Sequence, residues 1–467
     1  MIFEGLPCAH SVIAFCDNTM SILPNQVQSG AVTSAEPGSV EARTTRKVLW
    51  RIIPFIFTLY IISYIDRANI GYAALQMNHE LALSSEAFGF AAGVFFIGYF
   101  LFEVPSNIAL SRFGARIWIS RILVSWGIVA VLSAFVRNAN ELYLLRFLLG
   151  VAEAGFFPGI IIYLTHWFRA KDQATSVALF TAAIPVSYLI GAPLSTWIMD
   201  NVTGFGLSGW RWMILLEGVP AILGGIACFC LLTDRPEQAK WLSAQEKAWL
   251  IGELAKDQLQ RPNVQKLSTL QAIANPTVLG LALIYFVYQA GSLGVGYWMP
   301  QIIRELSGSL SNFEIGVLAM APYGFATVAM VLWSVHSDRT GERQLHSALP
   351  LLIAALALAA SGFTRSAWLS ITLIGIALAG LYAFKSPFWS LPSLFLARST
   401  AAISIASINS IGNLGGFAGP YMIGLIKGWS GSQKGGLLFL SALLLLAFAL
   451  TYFIRLASPK TAVVGSQ

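Results

Sequence analysis

The sequence predicts an all-α membrane protein of twelve transmembrane helices, arranged as two pseudo-symmetric six-helix bundles with both termini on the cytoplasmic side. Three observations carry this. Of 467 residues, 56% are hydrophobic and only 11% are charged, where soluble domains carry about 25% charged residues. Twelve apolar stretches each reach the roughly 20 residues that a helix needs to cross a bilayer. Motifs of the first half also return in the second at one constant offset, 227 residues.

Taken in order, the first 45 residues fit no fold. The leader has Glu4 and no lysine or arginine ahead of its weakly apolar stretch, so it makes a poor signal peptide. Residues 21–42 are rich in Ser, Pro, Gly, Thr and Ala, the composition of a disordered tail, and Met20 is an alternative start. The spans follow at 48–75, 88–110, 115–136, 141–165, 173–199 and 211–233, then at 276–304, 313–336, 345–364, 367–396, 401–427 and 435–455. Between the sixth and seventh lies the one long polar stretch. There Ser243-Ala-Gln-Glu246 reads as a capping box that opens a surface helix. The expected units are thus a tail over 1–45, a bundle over 46–233, a cytoplasmic loop over 234–275, a second bundle over 276–456 and a tail over 457–467.

Lysine and arginine set the orientation. With both termini and the central loop on one side, that side holds 20 of the 29 basic residues, the other side holds six, and Arg67, Arg146 and Lys385 fall inside apolar segments. Cys228 and Cys230 lie in an apolar run, and the five histidines show no metal-ligand spacing, so no metal or cofactor is expected. No phosphate loop occurs, since the glycines lie in apolar segments. An enzyme is excluded on these grounds, nucleic acid is not an expected partner, and a monomer in the lipid bilayer is expected.

The repeat is carried by two loops and two kinks. Asn107-x-x-x-Ser111-Arg112-x-Gly114-Ala-Arg116 stands between spans two and three, and Ser334-x-x-x-Asp338-Arg339-x-Gly341-Glu-Arg343 between spans eight and nine. Ile190-Gly-Ala-Pro193 in span five is matched by Ala418-Gly-Pro420 in span eleven. Such duplication is frequent in transporters. Asp66 and Arg67 stand side by side near the end of the first apolar segment. A charge in that setting costs about 2.5–3.5 kcal/mol on insertion scales and faces a partner or a watery cavity. Glu153 follows Arg146 by seven residues, two helical turns on one face, so two acids and two bases are expected around one space. Glu103 and Glu217 lie nearer segment ends and read as structural. Gly415-x-x-x-Gly419-Pro420 reads as a close helix contact.

Four stretches add a resemblance. Asp66-Arg67-Ala-Asn69-Ile-Gly71, Glu103-Val-Pro-Ser-Asn107, Arg146-Phe-Leu-Leu-Gly-Val-Ala-Glu153-Ala-Gly155 and Ser386-Pro-Phe-Trp389-Ser-Leu-Pro392, with the loop at Asp338, resemble the major facilitator superfamily over about residues 45–456. Within it they resemble the anion:cation symporter branch of tartrate, sugar-acid and aromatic-acid permeases and vesicular organic-anion carriers. The first-half loop departs, with Ser111 where the family has an aspartate. The resemblance implies alternating access by rocking halves, with Arg112, Gly114, Asp338, Arg339, Gly341 and Arg343 in the conformational loops. It places Tyr64, Tyr99, Gln289, Trp389 and Asn409 at positions that line a sugar-acid site. Beside them, Arg67 offers a planar fork suited to a carboxylate, and Lys385, next to Ser386, is a second point charge. A buried carboxylate is neutralised by desolvation and held ionised by a neighbouring arginine, which suits Asp66 and Glu153, with Arg146, to proton coupling. The reading is a proton-coupled importer of a small organic carboxylate through the inner (plasma) membrane. A proton-antiporting exporter of amphiphilic compounds and a non-transporting membrane sensor are the alternatives. The basic cavity counts against the first and the shortness of 233–275 against the second.

Overall fold

The computed structural model describes residues 39–259, 275–308, 310–364, 366–395 and 398–454. The tails expected at 1–38 and 457–467 lie outside the described residues. All regular structure is helical among the described residues apart from short turns and one isolated bridge.

Helix α1 (Val40–Glu80) is capped by Ser39, whose hydroxyl accepts from Ala42 N at 3.2 Å. It begins earlier than the expected span, and Glu41 in its first turn pairs with Arg169 at 2.6 Å and Lys171 at 2.9 Å. Residues 40–45 therefore belong to the fold, which shortens the tail expected over 1–45. α2 (Ser85–Phe113) ends at Gly114, whose φ of +87° turns the chain directly into α3 (Ala115–Ser133). Span four is divided into α4 (Ala139–Glu153) and α5 (Phe156–Thr165) at Gly155, also at φ +87°. Span five divides at Ala182 into α6 (Ala170–Thr181) and α7 (Ala183–Asn201), and α8 (Gly209–Leu231) closes the first group.

The polar stretch carries α9 (Ala244–Leu259). Both bonds of its expected capping box are present: Glu246 N donates to Ser243 Oγ at 3.2 Å and Ser243 N to Glu246 Oε2 at 2.9 Å. Lys47 of α1 also bonds Glu246, at 2.7 Å, and holds its carboxyl below the usual carboxylate range, tying α9 to the first bundle. The second group is α10 (Pro276–Ser307), α11 (Asn312–Thr340), α12 (Gln344–Ser361), α13 (Ala367–Phe395), α14 (Arg398–Asn413), α15 (Gly415–Ser430) and α16 (Gln433–Phe453). Eleven helical stretches among the described residues are long and apolar enough to cross a membrane. The segment expected at 401–427 falls on α14 and α15, of 16 residues each, which meet at Leu414.

In the first half α3 packs on α8, α2 on α4, and α1 on α7 and α8; in the second, α13 packs on α11 and α12, and α10 on α14, α15 and α16. Gly415 and Gly419 face the backbone of Phe286 and Ala290 so closely that no β-carbon fits there, so the glycine spacing on α15 serves the close helix contact expected of it.

The halves meet through α1·α10, α2·α14, α2·α15 and α7·α11. Nearly all of this seam lies at the end of the molecule where α1 finishes and α2 begins. A β-carbon on Gly89 of α2 would stand 2.5 Å from Pro420 O on α15. Asp200, at the end of α7, accepts from Phe313 N at 2.8 Å and Asn312 Nδ2 at 2.5 Å. Its charge thus stands at the positive N-terminus of α11. Asn78 bonds Gln301 at 3.3 Å nearby. At the opposite end no hydrogen bond joins the halves among the described residues.

Candidate substrate and proton site

Asp66 and Arg67 lie inside the continuous helix α1, 14 and 13 residues before its last residue, or about 20 Å at 1.5 Å per residue. Arg67 Nε donates to Glu153 Oε1 at 2.8 Å, and the same oxygen accepts from Ser63 Oγ at 2.7 Å. The pair is interior, with the Glu153 side chain 1% exposed and that of Arg67 16%. Glu153 is the last residue of α4, so the break at Ala154–Gly155 sets its carboxylate at a helix end facing α1.

The guanidinium of Arg67 lies 5.3, 5.4 and 5.2 Å from the ring centres of Tyr64, Phe95 and Tyr99. Arg146 lies 5.3 Å from the other neighbour of this cluster, Phe95, so one aromatic ring serves both cations. Arg146 donates to Ala91 O at 3.2 Å rather than to Glu153. Arg146 thus acts on Glu153 and Asp66 through space rather than by a direct bond. Seven residues put Arg146 and Glu153 about 10 Å apart along the axis, and α1 brings Arg67 to the carboxylate instead. Nη2 of each arginine has no hydrogen-bond partner among the described residues.

Asp66 is 2% exposed and is held by neutral donors, Asn69 Nδ2 at 2.9 Å and the indole Nε1 of Trp126. Glu217 faces this group from α8 and accepts from Ser195 Oγ at 2.6 Å. The expectation that Glu103 and Glu217 sit near segment ends is also corrected: each is 6% exposed, eight residues into α8 for Glu217 and ten from the end of α2 for Glu103. The legible signal was an acid inside an apolar run. What was missing was the face it occupies. Glu103 accepts from Ser410 Oγ of α14, with Asn409 alongside and Arg67 near.

The remaining expected residues lie on the second half. Gln289 on α10 donates to Asn413 Oδ1 at 3.0 Å. Trp389 on α13 meets Tyr285 edge to face at 4.9 Å. Lys385 is half-buried near Tyr288 and forms no ion pair among the described residues, while Ser386 is exposed. Tyr64 looks across at Tyr285 and Tyr288, and Tyr188 of α7 stacks on Tyr323 of α11 at 4.4 Å. The structure thus brings Tyr64, Arg67, Tyr99 and Glu153 into one contact group, links Asn409 to it through Glu103, and sets Gln289, Lys385 and Trp389 on the facing half.

The two loops differ. In the second, Arg343 pairs with Asp338 at 2.6 Å, Gly341 is left-handed, and Arg339 is exposed. In the first, Ser111 bonds its own helix at Ile108 O and Arg112 is exposed. The carboxylate comes from elsewhere: Asp234, just past α8, accepts from Arg116 N at 2.8 Å and lies against Gly114.

Comparison with known proteins agrees with this architecture. A model of the Major Facilitator Superfamily matches residues 56–420. A protein of Agrobacterium vitis named "Putative tartrate transporter" is 48% identical over 93% of this chain and 95% of its own. A "Quinolone resistance transporter" of Acinetobacter baumannii is 38% identical over 91% of this chain and 99% of its own. Among solved structures, a bacterial homolog of the human lysosomal transporter Spinster, inward-facing and unoccupied, superposes with a TM-score of 0.71 at 16% identity, over 88% of this chain and 96% of that one. That last likeness is one of fold. The chain belongs to the Major Facilitator Superfamily of multi-pass membrane transporters, which are not enzymes.

Proposed function

We propose that this protein is a proton-coupled importer of a small organic carboxylate, of the tartrate, sugar-acid or aromatic-acid kind, working by alternating access as a monomer in the plasma membrane. In this reading α14 and α15 form one broken span, the twelfth. Twelve spans put both termini and the 234–275 loop in the cytoplasm, as the distribution of basic residues favours. The seam around Asp200 and Gly89 then closes the outer face, and the site opens inward.

The observation that carries the reading is the buried Arg67–Glu153 pair, with a free Nη2 on the arginine and a wall of tyrosines opposite. A substrate carboxylate that engages Arg67 competes with Glu153 for the guanidinium. Freed of its cation in a low-dielectric setting, Glu153 is driven to take a proton. Anion binding and proton uptake are thereby linked at one side chain. Asp66, held only by neutral donors, is the second acceptor, and Arg146 keeps a positive field over both. The name of the Agrobacterium relative supports a tartrate-like substrate.

Proteoliposomes test this directly. L-Tartrate uptake should rise above equilibrium under an inward proton gradient and fall to equilibration when a protonophore is added. Uptake indifferent to the gradient, for tartrate and for sugar and aromatic acids alike, would remove the reading. The Acinetobacter relative favours a second one, proton-antiporting export of amphiphilic compounds. Fluoroquinolone accumulation in inside-out vesicles, with no carboxylate import, is its signature.

A further inference from the structure

Glu103 has no task in that scheme, yet its placement is particular. Its contact with Ser410 joins the halves away from the outer seam, where the contacts of Asn78, Glu86 and Asp200 lie. On α2 it stands four residues past Tyr99, about 6 Å, toward the open end of the site. Its carboxylate therefore lies between Arg67 of the first half and Asn409 and Ser410 of the second. A fork of cationic donors on one side and a hydroxyl and an amide on the other form the donor set that an organic acid needs in order to touch both halves.

We propose that Glu103 is an internal competitor for the substrate, whose carboxylate occupies the Ser410 and Asn409 donors until a substrate carboxylate displaces it. The inference rests on the carboxylate-transport reading and adds a specificity rule to it. An acid with a single carboxylate on Arg67 leaves the Glu103–Ser410 link standing. An acid with a second carboxylate reaches Ser410, breaks that link and bridges the halves itself. The link also keeps binding from becoming too tight, since the competent state is only a fraction of the population and apparent affinity falls by that fraction.

The test is binding of L-tartrate and of the monoanion D-gluconate to purified protein in detergent, by calorimetry, for wild type, Glu103→Gln and Glu103→Asp. Glutamine keeps an oxygen for Ser410 but loses the charge. Aspartate keeps the charge but is one methylene short of Ser410. Tartrate should bind about tenfold tighter to Glu103→Gln if the competitor holds the donors about nine-tenths of the time. It should bind about threefold tighter to Glu103→Asp, and gluconate should gain less than tartrate in both. A purely structural role for Glu103 would weaken binding, so the direction is the discriminating readout. Unchanged or weaker tartrate binding in both variants, with wild type binding, overturns the proposal and leaves the transport reading intact. No binding of either acid to any of the three proteins overturns that reading, and the proposal with it. Should Glu103→Gln fail to fold, Glu103→Asp alone decides by the same direction.

Discussion

The two halves share an architecture but divide the chemistry. The first buries Asp66, Glu103, Glu153, Glu217 and Arg146 inside its apolar helices, with Arg169 and Glu246 buried outside them. Among the described residues the second buries no aspartate, glutamate, lysine or arginine, and its single charge at the site, Lys385, is half-buried. Its lining is otherwise aromatic rings and amides. Under the alternating access proposed above, this difference has a mechanical reason. An ion pair stranded in low dielectric costs several kcal/mol when one partner leaves. A pair whose members sit on one rigid body is never pulled apart by rocking. Arg67 and Glu153 both belong to the first half, so the halves can separate with that pair intact. In the proposed mechanism a competing anion or a proton opens it.

The sharpest way to break this division is Glu153→Gln. The amide oxygen can still accept from Ser63 and Arg67, so the geometry survives while the titratable group is gone. Tartrate should still bind, and exchange of internal for external tartrate should continue, because exchange moves no net proton. Accumulation driven by a proton gradient should disappear. Proteoliposomes loaded with or without tartrate separate the two. Full accumulation by the variant would move coupling to Asp66 or beyond.

Next in size is Arg67→Lys. Lysine can still pair with Glu153, but it loses the planar fork and the spread of charge over Tyr64, Phe95 and Tyr99. A charge-assisted hydrogen bond contributes about 1.5–3 kcal/mol, so tartrate affinity should fall roughly ten- to a hundredfold, with folding little affected. Unchanged affinity would make Arg67 purely a partner of Glu153. Lys385→Met examines the other half. Lys385 would supply attraction without an ion pair, so its loss should weaken tartrate binding only about two- to fivefold and leave the proton dependence of accumulation in place. Loss of gradient-driven accumulation would show that the second half takes part in coupling.

The division was partly legible in the chain. Apolar length marked the eleven spanning helices found among the described residues, and acids inside apolar runs marked Asp66 and Glu153. The Ser243–Glu246 box was readable because both partners are local. Three things were not. Position along a span does not fix the face, so Glu103 and Glu217 were expected near helix ends although both are buried inside their helices. Seven-residue spacing puts Arg146 and Glu153 on one face yet leaves them two turns apart, and only the crossing of α1 decides which cation reaches the acid. A side chain at Gly155 would strike Ser106 on α2, and the breaks at Ala182 and Leu414 stand beside Pro185 and Gly415, but such residues also occur within unbroken helices, as Pro105 does in α2, so their presence alone does not announce a break.

The smallest effect concerns the loops, where the first half borrows what the second has of its own. Asp338 follows its family position and pairs with Arg343, five residues on. The equivalent Ser111 cannot pair, and Asp234, from more than a hundred residues later, caps α3 at Arg116 N. Asp234→Asn keeps an acceptor but removes the charge at a helix N-terminus, which should cost about 0.3–1 kcal/mol and lower Tm by a few degrees or less. Ser111→Asp should offset part of that loss, because Arg116 Nε is buried without a partner and an aspartate there could pair with it as Asp338 does with Arg343. The decisive quantity is the coupling in the double-mutant cycle. Ser111→Asp should stabilise the Asp234→Asn protein more than the wild type, in which the loop already has its carboxylate. Equal shifts in both backgrounds would mean that Asp234 does not stand in for the missing aspartate, and that the two loops are built on unrelated contacts.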